Sequence, residues 1–598
     1  MDYYNIWLFV VYLCDMKHFV KSVSSLMPLR LVMMAMLAVA CGPEVDPADQ
    51  VGPGDGRDSI PSPKDTVVTP PVDTVAAPVL EAGTTYYGYV RCGGEPVSDV
   101  VVTDGYAFTR TDAEGLYQLK SAKEYGFVEI SVPSGYRVPS EGVIPMFFAR
   151  AECPKNSLEQ HDFELLRDRD QTRHTMLFFT DLHLANRIND LKIFTTFEDD
   201  INAYITSHPS ENIFAATGGD MGWDTKWYQY NYMLPDYVSE VNAAFSPNHL
   251  QIFHAIGNHD HAKGKKGAYP AGELECSKAY KDAIGPTFYS YNIGQAHYIC
   301  LDNIRCTNPG DGTTSYVCEL EPYMLEWLKN DLLYVDMSKI IVLQMHAPLF
   351  TYKGEYYRNE AGCKAIIDAL GGRRTYVLSG HTHMIYTTDH SADMNLIELN
   401  SGSVCGTWWW TGYYYPTINI NREGTPAGYR IFKVDGTDVS WQYKAFGRDS
   451  AEQFRTYDLN SIHITPEKYA PAMPAANLGS FNETMWKFTT DWKNNRFFIL
   501  VYDYEPQWKI EAWEEGKPLT VTSNSIYDPL HLIAYEAVRY NIGEIPDSGY
   551  LRSSCKHWFM VVPSSPTSTV EIKVTDRFGR VYTETVKRPK EFSIEAYK

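Results

Sequence analysis

Residues 257–262 read "GNHDHA", and this stretch decides how the rest of the chain is interpreted. Two histidines flank one aspartate, an asparagine precedes them, and a glycine opens the run. The preceding "QIFHAI", residues 251–256, is mostly apolar, which is typical of a buried strand. The run is either a polar loop that happens to be rich in histidine or one part of a metal site. Only partners elsewhere in the chain can separate these interpretations.

Four other segments share the same design, in which an apolar strand stops at residues that can ligate a metal ion. They are "TMLFFTD", "NIFAATGGD", "IIVLQMHAP" and "TYVLSGHTH". Buried strands that end in reactive residues are the way in which α/β enzymes place their sites. In chain order the motifs are Asp181-Leu182-His183, Gly219-Asp220, His346 and Gly380-His381-Thr382-His383.

Together with Gly257-Asn258-His259-Asp260, these motifs resemble the calcineurin-like metallophosphoesterase family. Its D-x-H, G-D, G-N-H-D/E, H and G-H-x-H motifs occur here in the family's order. Residues 287–303 and 424–432 are similar to two further stretches of the family. The resemblance implies an α/β fold, a four-layer αββα sandwich, flanked by an N-terminal β-sandwich and a C-terminal β-rich domain. It also implies a hydrolase of phosphate esters.

The chemistry of phosphoryl transfer explains the residue types. Two divalent cations about 4 Å apart can clamp the attacking and leaving oxygens, and oxygen and imidazole ligands suit Mn, Fe, Zn or Mg. By the resemblance, Asp220 bridges both ions, because cations this close repel without negative charge between them. The other implied ligands are Asp181, His183 and His383 at the first ion, and Asn258, His346 and His381 at the second.

His259 is the motif histidine to which the resemblance assigns no metal ion. It is expected to face the substrate, where it can protonate the leaving alkoxide or hold a phosphoryl oxygen. Asp260 is expected to orient it. A water or hydroxide between the metals is the expected nucleophile, so no covalent intermediate is required.

Other polar residues near the motifs carry weaker assignments. We expect His261 to be exposed in the loop, and His254 to lie in the core or behind a ligand. Asp302 and Asn303 either support the site from behind or form a turn. Asp224 either supports the site or starts a helix.

The sequence departs from the patterns of several related phosphatases. It does not decide whether the substrate is a phosphate monoester or a diester. Trp223 stands three residues after Asp220, where purple acid phosphatases carry a tyrosine ligand. "GGDMGWDTK", residues 218–226, lacks the arginine of the protein Ser/Thr phosphatases. "GNHDHA" also departs from the G-N-H-E-F-D pattern of exported 5′-nucleotidases.

Tryptophans follow both the second and the last motif. Aromatic rings at a cleft rim can stack on sugars, bases or lipid headgroups. The alternative is that these rings fix the C-terminal domain to the core. The candidates for the substrate rim are Trp223, Trp227, Trp408 and Trp409.

The N-terminus has the pattern of an export signal. "LVMMAMLAVA", residues 31–40, follows basic residues and is too short to span a bilayer. It precedes Cys41 in a pattern that resembles a bacterial lipoprotein box. We therefore expect residues 1–41 to be a signal segment, with export to the periplasm or cell surface and membrane attachment through a lipid on Cys41. The alternative is an ordinary cleaved signal or a short anchor.

Composition divides the remainder into four parts. Residues 42–83, rich in Pro, Asp and Gly, predict an extended tether. Residues 84–168 alternate in short runs that resemble a carboxypeptidase-regulatory-like β-sandwich. Residues 169–407 alternate strands with helices and contain the motifs, and residues 408–598 are aromatic and β-rich.

Export would permit disulfide bonds. Of the 11 cysteines, nine remain when Cys14 and Cys41 are set aside, so at least one should be free. Cys306 and Cys318 bracket a turn-rich loop and are the preferred pair.

The net charge of −21 argues against a nucleic-acid-binding surface. It does not exclude phosphate-ester substrates, because bound cations would invert the local sign. Two functions from different classes remain: a dinuclear metal hydrolase, and a surface protein that binds a glycan or other ligand on an idle scaffold. The complete set of ligand positions favours the hydrolase. The sequence does not indicate an oligomeric state.

Overall fold

The computed structural model describes residues 78–187, 189–313, 315–489 and 494–598. The predicted signal segment, Cys41 and nearly all of the tether lie outside the described residues. Val79–Lys598 form one unit, with a β-rich region at each end and an α/β region between them. Among the described residues, no helix combines the length and the apolar character needed to cross a membrane.

The N-terminal region is all-β, as predicted. Its strands are β1 (Tyr86–Cys92), β2 (Glu95–Pro96), β3 (Val101–Thr103), β4 (Phe108–Arg110), β5 (Leu116–Leu119), β6 (Phe127–Ile130), β7 (Tyr136–Arg137), β8 (Ser140–Glu141), β9 (Ile144–Pro145), β10 (Phe148–Arg150), β11 (Glu159–Gln160) and β12 (Phe163–Arg167). One sheet has the order β11-β1-β12-β7, with β2 and β5 also paired to β1, and another has the order β10-β6-β3-β4. The first five side chains of β1 alternate between buried and half-buried positions. This is expected where one face of a sheet covers a core.

The central region alternates strands and helices. In chain order they are β13 (Arg173–Phe179), α1 (Asp190–Ser207), β14 (Ile213–Thr217), α2 (Trp227–Tyr230), α3 (Leu234–Phe245), β15 (Ile252–Phe253), α4 (Gly272–Cys276), α5 (Lys278–Ala283), β16 (Tyr289–Ile293), β17 (Ala296–Leu301), β18 (Ile304–Cys306), β19 (Tyr316–Cys318), α6 (Pro322–Asp331), β20 (Ile340–Met345), α7 (Glu360–Leu370), β21 (Thr375–Ser379), β22 (Tyr386–His390), β23 (Leu396–Asn400), α8 (Trp410–Tyr414), β24 (Gly428–Asp435) and β25 (Asp438–Ala445).

Two sheets are built from these strands. The first has the order β15-β14-β13-β24-β25, and the second has the order β16-β17-β20-β21-β23-β22. In the first sheet β13, β14 and β15 run parallel. In the second sheet β17, β20, β21 and β23 run parallel. Strands β14, β20 and β21 are buried at every position, because both of their faces are covered.

The two sheets pack face to face. Gln344 Nε2 in β20 donates to the carbonyl oxygens of Thr217 and Phe253, at 2.8 Å each, in the opposite sheet. The Phe253 ring stacks on Tyr291 with ring centroids 3.6 Å apart. Full burial of one such ring contributes about 2 kcal/mol. The sheets are therefore fixed to each other, and so are the ends of their strands.

Helices cover the outer faces and complete the predicted four layers. Phe197 in α1 contacts Phe179 of β13 edge-on, with ring centroids 5.2 Å apart. Asp331 at the end of α6 accepts hydrogen bonds from Ser290 and His297 of the second sheet, at 2.7 and 2.8 Å. The predicted αββα class is confirmed.

The C-terminal region contains two further four-stranded sheets, in the orders β26-β27-β31-β30 and β29-β28-β32-β33. Its elements are β26 (Phe454–Asp458), α9 (Pro466–Tyr469), α10 (Leu478–Thr489), β27 (Phe497–Val501), β28 (Lys509–Glu514), β29 (Lys517–Pro518), β30 (Thr522–Asn524), α11 (Pro529–His531), α12 (Ala537–Asn541), β31 (Trp558–Val561), β32 (Val570–Thr575) and β33 (Val581–Val586). A π-helical turn, Leu532–Glu536, joins α11 to α12.

The predicted boundary between residues 407 and 408 does not coincide with the end of the central sheet. Strand β24 pairs antiparallel with β13, from Asp435 opposite Arg173 to Arg430 opposite Phe178. The buried Arg430 guanidinium also forms a two-bond pair with Asp503, at 2.5 and 2.9 Å. The chain beyond residue 408 thus first completes the central sheet and then forms the C-terminal region.

Candidate metal centre

The five predicted motifs meet at one edge of the two sheets. Strands β13, β14 and β15 of the first sheet and β20 and β21 of the second end there, and the residues that follow them surround a cleft of about 400 Å³. This is the edge at which α/β folds place ligands. Predicted site residues that line the cleft are His183, Asp220, Asn258, His259, His381 and His383.

Three predicted ligands of the first metal ion lie together. The Nε2 atoms of His183 and His383 are 3.0 Å apart. Asp181 Oδ1 lies 3.8 Å from His183 Nε2 and 3.4 Å from His383 Nε2. Asp220 Oδ2 lies 3.5 Å from His183 Nε2.

The predicted ligands of the second ion form an adjoining group. His346 Nε2 lies 3.2 Å from Asp220 Oδ2 and 3.0 Å from Asn258 Oδ1. His381 Nδ1 lies 3.0 Å from His346 Nε2. Asp220 therefore stands between the two groups, at the position that the family resemblance assigns to a bridging carboxylate.

The donor atoms of both groups suit divalent cations. The Nδ1–H groups of His346 and His383 can donate to backbone carbonyls at 2.6 and 3.0 Å, which leaves each Nε2 lone pair directed inward. Metal-binding histidines usually have this arrangement. Asp181 Oδ1 is buried without a hydrogen-bond partner, and such an atom is costly unless a cation satisfies it. The residues present thus fit two divalent metal ions.

The electrostatics of the cluster keep its carboxylates ionised. Although burial opposes the charged form, neighbouring histidines, His346 foremost, hold the pKa of Asp220 well below its usual range. Asp181 is held low in the same way, with His383 as the main source. Burial lowers the pKa of His381, so its imidazole stays neutral and keeps a lone pair for a metal ion.

Five of the seven predicted ligands have a backbone conformation that is unfavourable for residues other than glycine. A positive φ is uncommon for residues other than glycine and costs on the order of 1 kcal/mol or more. Such strain persists where the surrounding structure fixes the residue, and it is frequent at functional sites. The ligands with positive φ are Asp181 (54°), His183 (44°), Asp220 (56°), His381 (72°) and His383 (51°).

Two motif glycines are required by close approach rather than by turning. A Cβ atom on Gly257 would lie 2.3 Å from Asp220 Oδ1, and one on Gly380 would lie 2.5 Å from Asp181 Oδ2. Neither glycine has a positive φ. This requirement follows from the packing of one motif against another, so neither motif shows it alone.

Asp224, not Asp260, orients His259. His259 Nδ1 lies 2.6 Å from Asp224 Oδ1. Asp260 instead accepts hydrogen bonds from the backbone N–H groups of Gly222 and Gly257, at 2.9 Å each. The predicted role of Asp260 as the orienting group is therefore wrong. Its carboxylate joins two loops of the site.

His259 is placed to act as an acid. Its side chain is 26% exposed, and its backbone N–H donates to Asp220 Oδ1 at 2.6 Å. Burial favours the neutral ring, but Asp220 and Asp224 outweigh it and raise the pKa of His259 to about 9. A cation bound to Asp220 would cancel that residue's share and leave Asp224 as the main source of the shift.

The predicted exposure of His261 is also wrong, because its side chain is only 2% exposed. Its Nδ1 lies 2.8 Å from the carbonyl oxygen of Gly257, and its Nε2 lies 3.1 Å from Glu273 Oε1. His254 is buried, with Nε2 3.1 Å from Tyr237 Oη, and so belongs to the core.

Asn303 supports the second group of ligands from behind. Its Nδ2 donates to the carbonyl oxygen of Ala347 at 2.7 Å, and its Oδ1 accepts from the Ala347 N–H at 3.0 Å. This pair of bonds fixes the residue that follows His346. Of the two alternatives for Asn303, support rather than a simple turn describes it better.

The four rim tryptophans differ in position. Trp408 lines the cleft and stacks on His383, with ring centroids 3.7 Å apart. Trp409 Nε1–H donates to the Leu182 carbonyl oxygen at 2.8 Å, behind the first motif. The prediction of a rim position is wrong for three of the four, because their exposed fractions are too small: Trp223 (3%), Trp227 (2%) and Trp409 (1%).

Two arginines in the cleft were missed. Arg358 is exposed and donates from Nη1 to Tyr316 Oη at 3.0 Å. Arg422 also lines the cleft and is held through Nε by the Leu551 carbonyl oxygen, at 3.0 Å, in the C-terminal region. Neither lies in a motif, so no local sequence signal distinguishes them from surface arginines.

The predicted Cys306–Cys318 disulfide is wrong, since both thiols are free. In the β18–β19 ladder, Cys306 lies opposite Tyr316, and Cys318 lies opposite Ile304. The two cysteines are therefore diagonal to each other, not cross-strand partners.

Two facing sheets with a buried His/Asp cluster at their strand ends define the class of metal-dependent phosphoesterases. Residues 84–168, 174–384 and 398–582 match, in order, the N-terminal, catalytic and C-terminal domain models of calcineurin-like phosphoesterases. The chain belongs to the calcineurin-like phosphoesterase family, which implies hydrolysis of phosphoester bonds with divalent metal ions.

Several solved structures are similar to part of the chain. A dimetal phosphatase from Danio rerio is 10% identical, with 46% of this chain and 97% of that chain covered and a TM-score of 0.32. A 5′-nucleotidase from Candida albicans is 13% identical, with 48% and 54% covered and a TM-score of 0.28. GAP50, the anchor in the inner membrane complex of Plasmodium, is 10% identical, with 46% and 85% covered and a TM-score of 0.30. At these identities and TM-scores, none of the three structures carries an argument about this chain. No curated protein matches the chain significantly.

Proposed function

We propose that the protein is an exported phosphoesterase that holds two divalent metal ions and hydrolyses phosphate mono- or diesters. The observation that carries the proposal is the position of Asp220 between two groups of inward-directed histidines, one on each side. A single structural ion would not require donors on both sides of one carboxylate.

Seven residues would hold the ions, as the family resemblance assigns them. When bound, two divalent ions would offset the negative charge of the phosphoryl group. They would also lower the pKa of a water molecule, so that hydroxide is available to attack phosphorus at neutral pH. The ligands would be Asp181, His183, Asp220, Asn258, His346, His381 and His383.

His259 would supply the proton that the leaving oxygen needs. Its Nδ1 is occupied by Asp224, so Nε2 is the atom left to act in the cleft. The Asp224 carboxylate stabilises the protonated ring and fixes its orientation. Proton donation by a positioned histidine contributes roughly 100-fold or more to rate.

Arg358 and Arg422 would bind the phosphate oxygens of the substrate that the metal ions do not reach. Arginine matches phosphate oxygens with paired N–H donors. Tyr316 orients Arg358, while the C-terminal region holds Arg422. The C-terminal region would therefore shape the substrate mouth.

Export and lipid attachment rest on the sequence alone, through the apolar run at 31–40 and Cys41. Mass spectrometry of the N-terminus of the native protein tests this part. An unmodified residue 41 would exclude the lipid anchor.

Hydrolysis is tested with p-nitrophenyl phosphate and its bis-ester, with Mn²⁺, Zn²⁺ or Mg²⁺ added, beside the Asp220→Ala variant. We expect metal-dependent turnover of at least one ester and none in the variant. A chain that binds two metal ions and turns over neither ester would favour the idle binding scaffold instead.

A further inference from the structure

A separate group of ligand-type side chains lies beside the "GNHDHA" loop. A ring nitrogen of His261, a carboxylate oxygen of Glu273 and Cys306 Sγ all lie within 4.8 Å of one another. They come from three different segments: the loop after β15, helix α4 and strand β18. The proposed reaction uses none of them.

The side chains of His261 and Glu273 each use one polar atom to bind the backbone and direct the other toward the centre of the group. The His261 Nδ1–H donates to the Gly257 carbonyl oxygen at 2.8 Å, which leaves Nε2 to face Glu273 Oε1 at 3.1 Å. Glu273 Oε2 accepts from the Cys306 backbone N–H at 2.8 Å, which leaves Oε1 free to face His261. Backbone anchoring of this kind is how proteins orient metal ligands.

Asp302 supplies an independent sign of a cation. Its Oδ1 accepts from the Ile304 N–H at 3.2 Å. Its Oδ2 has no hydrogen-bond partner, although the side chain is only 1% exposed, and it lies 3.8 Å from His261 Nε2. Burial of a carboxylate oxygen without a partner is unfavourable unless a positive charge stabilises it.

We propose that His261, Glu273, Asp302 and Cys306 bind a further divalent metal ion of the zinc class, separate from the two at the candidate metal centre. One nitrogen, two oxygens and one thiolate form a donor set that suits Zn²⁺. With bonds of about 2.0–2.3 Å, neighbouring donors around a tetrahedral ion lie roughly 3.3–3.8 Å apart. The separations of 3.1 and 3.8 Å need little adjustment.

Such an ion would stabilise the catalytic loop. His261 lies in the same loop as Asn258 and His259, whereas Glu273 and Cys306 belong to α4 and β18. A metal ion that joins these segments would fix the loop that positions the proposed acid. Its role would be structural, since all four donors come from the protein.

Two other arrangements compete for the same side chains. Burial opposes protonation of His261, but Glu273 and Asp302 raise its pKa to about 10, so a proton would take the place of the ion in a metal-free chain. The second is oxidation. Cys276 lies beside Cys306, whose thiol lowers the pKa of Cys276, so the two could form a disulfide bond in an oxidising compartment.

The test uses full-length Asp220→Ala, in which the candidate metal centre is expected to lose its ions, loaded with Co²⁺. We expect one cobalt ion per chain and a thiolate-to-cobalt charge-transfer absorption. Adding Cys306→Ser should remove both. Adding Cys405→Ser is the matched control, because this buried thiol lies 3.5 Å from His383 Nδ1, and it should leave both unchanged.

The metal content of the wild-type protein tests the proposal even if a variant fails to fold. Fully loaded wild type should hold three divalent ions per chain, and His261→Gln should hold two. Two ions in the wild type, an absorption that disappears with Cys405→Ser instead of Cys306→Ser, or a Cys276–Cys306 disulfide in the isolated protein would each overturn the proposal.

Discussion

The Nδ1 atom of His259 lies 2.6 Å from the Oδ1 atom of Asp224, and the Asp224 backbone N–H donates to the His259 carbonyl oxygen at 3.1 Å. The two residues therefore hold each other through both side chain and backbone. Because Nδ1 is occupied, only Nε2 can act on a substrate.

This pair predicts how activity should depend on the leaving group. His259→Ala should keep both metal ions and lower kcat by about 100-fold or more on an alkyl phosphate. The loss should be smaller on p-nitrophenyl phosphate, whose leaving group needs little protonation. Asp224→Asn should show the same pattern more weakly. Equal losses on both esters would contradict the acid role, and full activity of His259→Ala would exclude it.

Asp220→Ala should reduce the metal content by two ions per chain, because this carboxylate lies between the two groups of histidines. Elemental analysis after dialysis measures the loss. Asp224→Asn is the matched control, since it alters a buried acid that is not a proposed ligand, and it should retain both ions. A loss of one ion only would show that Asp220 does not bridge.

Gly257→Ala should weaken metal binding by roughly 10- to 100-fold, the range seen when a group that supports metal ligands is lost. The added Cβ would lie 2.3 Å from Asp220 Oδ1 and must displace it. Gly479→Ala in α10, where an added Cβ meets no atom within 4 Å, is the control. Competition with a chelating dye gives the affinity. If the two variants bind metal equally, the steric account fails.

Arg358→Ala should raise KM by about 10-fold or more with little change in kcat, because it removes a charge-assisted hydrogen bond to bound phosphate worth roughly 1.5–3 kcal/mol. Inhibition by inorganic phosphate should weaken by a similar factor. Arg358→Lys should restore part of the affinity. Unchanged KM and phosphate inhibition in Arg358→Ala would place the substrate elsewhere in the cleft.

His174 should make the fold sensitive to acid. Burial lowers its pKa from 6.5 to about 4 in the folded chain. Between these pH values the unfolded chain binds a proton that the folded chain does not, so the free energy of unfolding falls as pH falls. The shift corresponds to about 2–3 kcal/mol between pH 7.5 and 4.5.

Denaturant unfolding of the metal-free chain measures this effect. His174→Gln should lose less stability than the wild type over that pH range, whatever its stability at pH 7.5. His463→Gln, which alters an exposed histidine, should follow the wild type. If the free energy of unfolding changes with pH in the same way for the wild type and His174→Gln, the prediction is refuted.

The fold class and the meeting of the seven candidate ligands at one place could be predicted, because their motifs resemble those of a known family and each motif lies at the end of one strand. Convergence then follows from the parallel strands, whose ends share an edge of the sheet. The position of Asp220 between His183 and His346 agrees with the bridging role that the resemblance assigns to it.

The interactions between motifs could not be predicted in the same way. The partner of His259 is Asp224 instead of the adjacent Asp260, because the loops after β14 and β15 lie against each other there. Adjacency in sequence says little about which carboxylate a side chain reaches. The burial of His261 and of three rim tryptophans has the same origin, since exposure depends on which distant segment covers a loop.

The pairing of β13 with β24 has a consequence for biosynthesis. Strand β13, which leads to Asp181, comes long before its antiparallel neighbour β24 in the order of synthesis. Until then one side of β13 is an open edge whose N–H and C=O groups can pair with another chain. A fragment that ends at residue 407 should therefore self-associate through this edge, because it lacks the strand that closes the sheet.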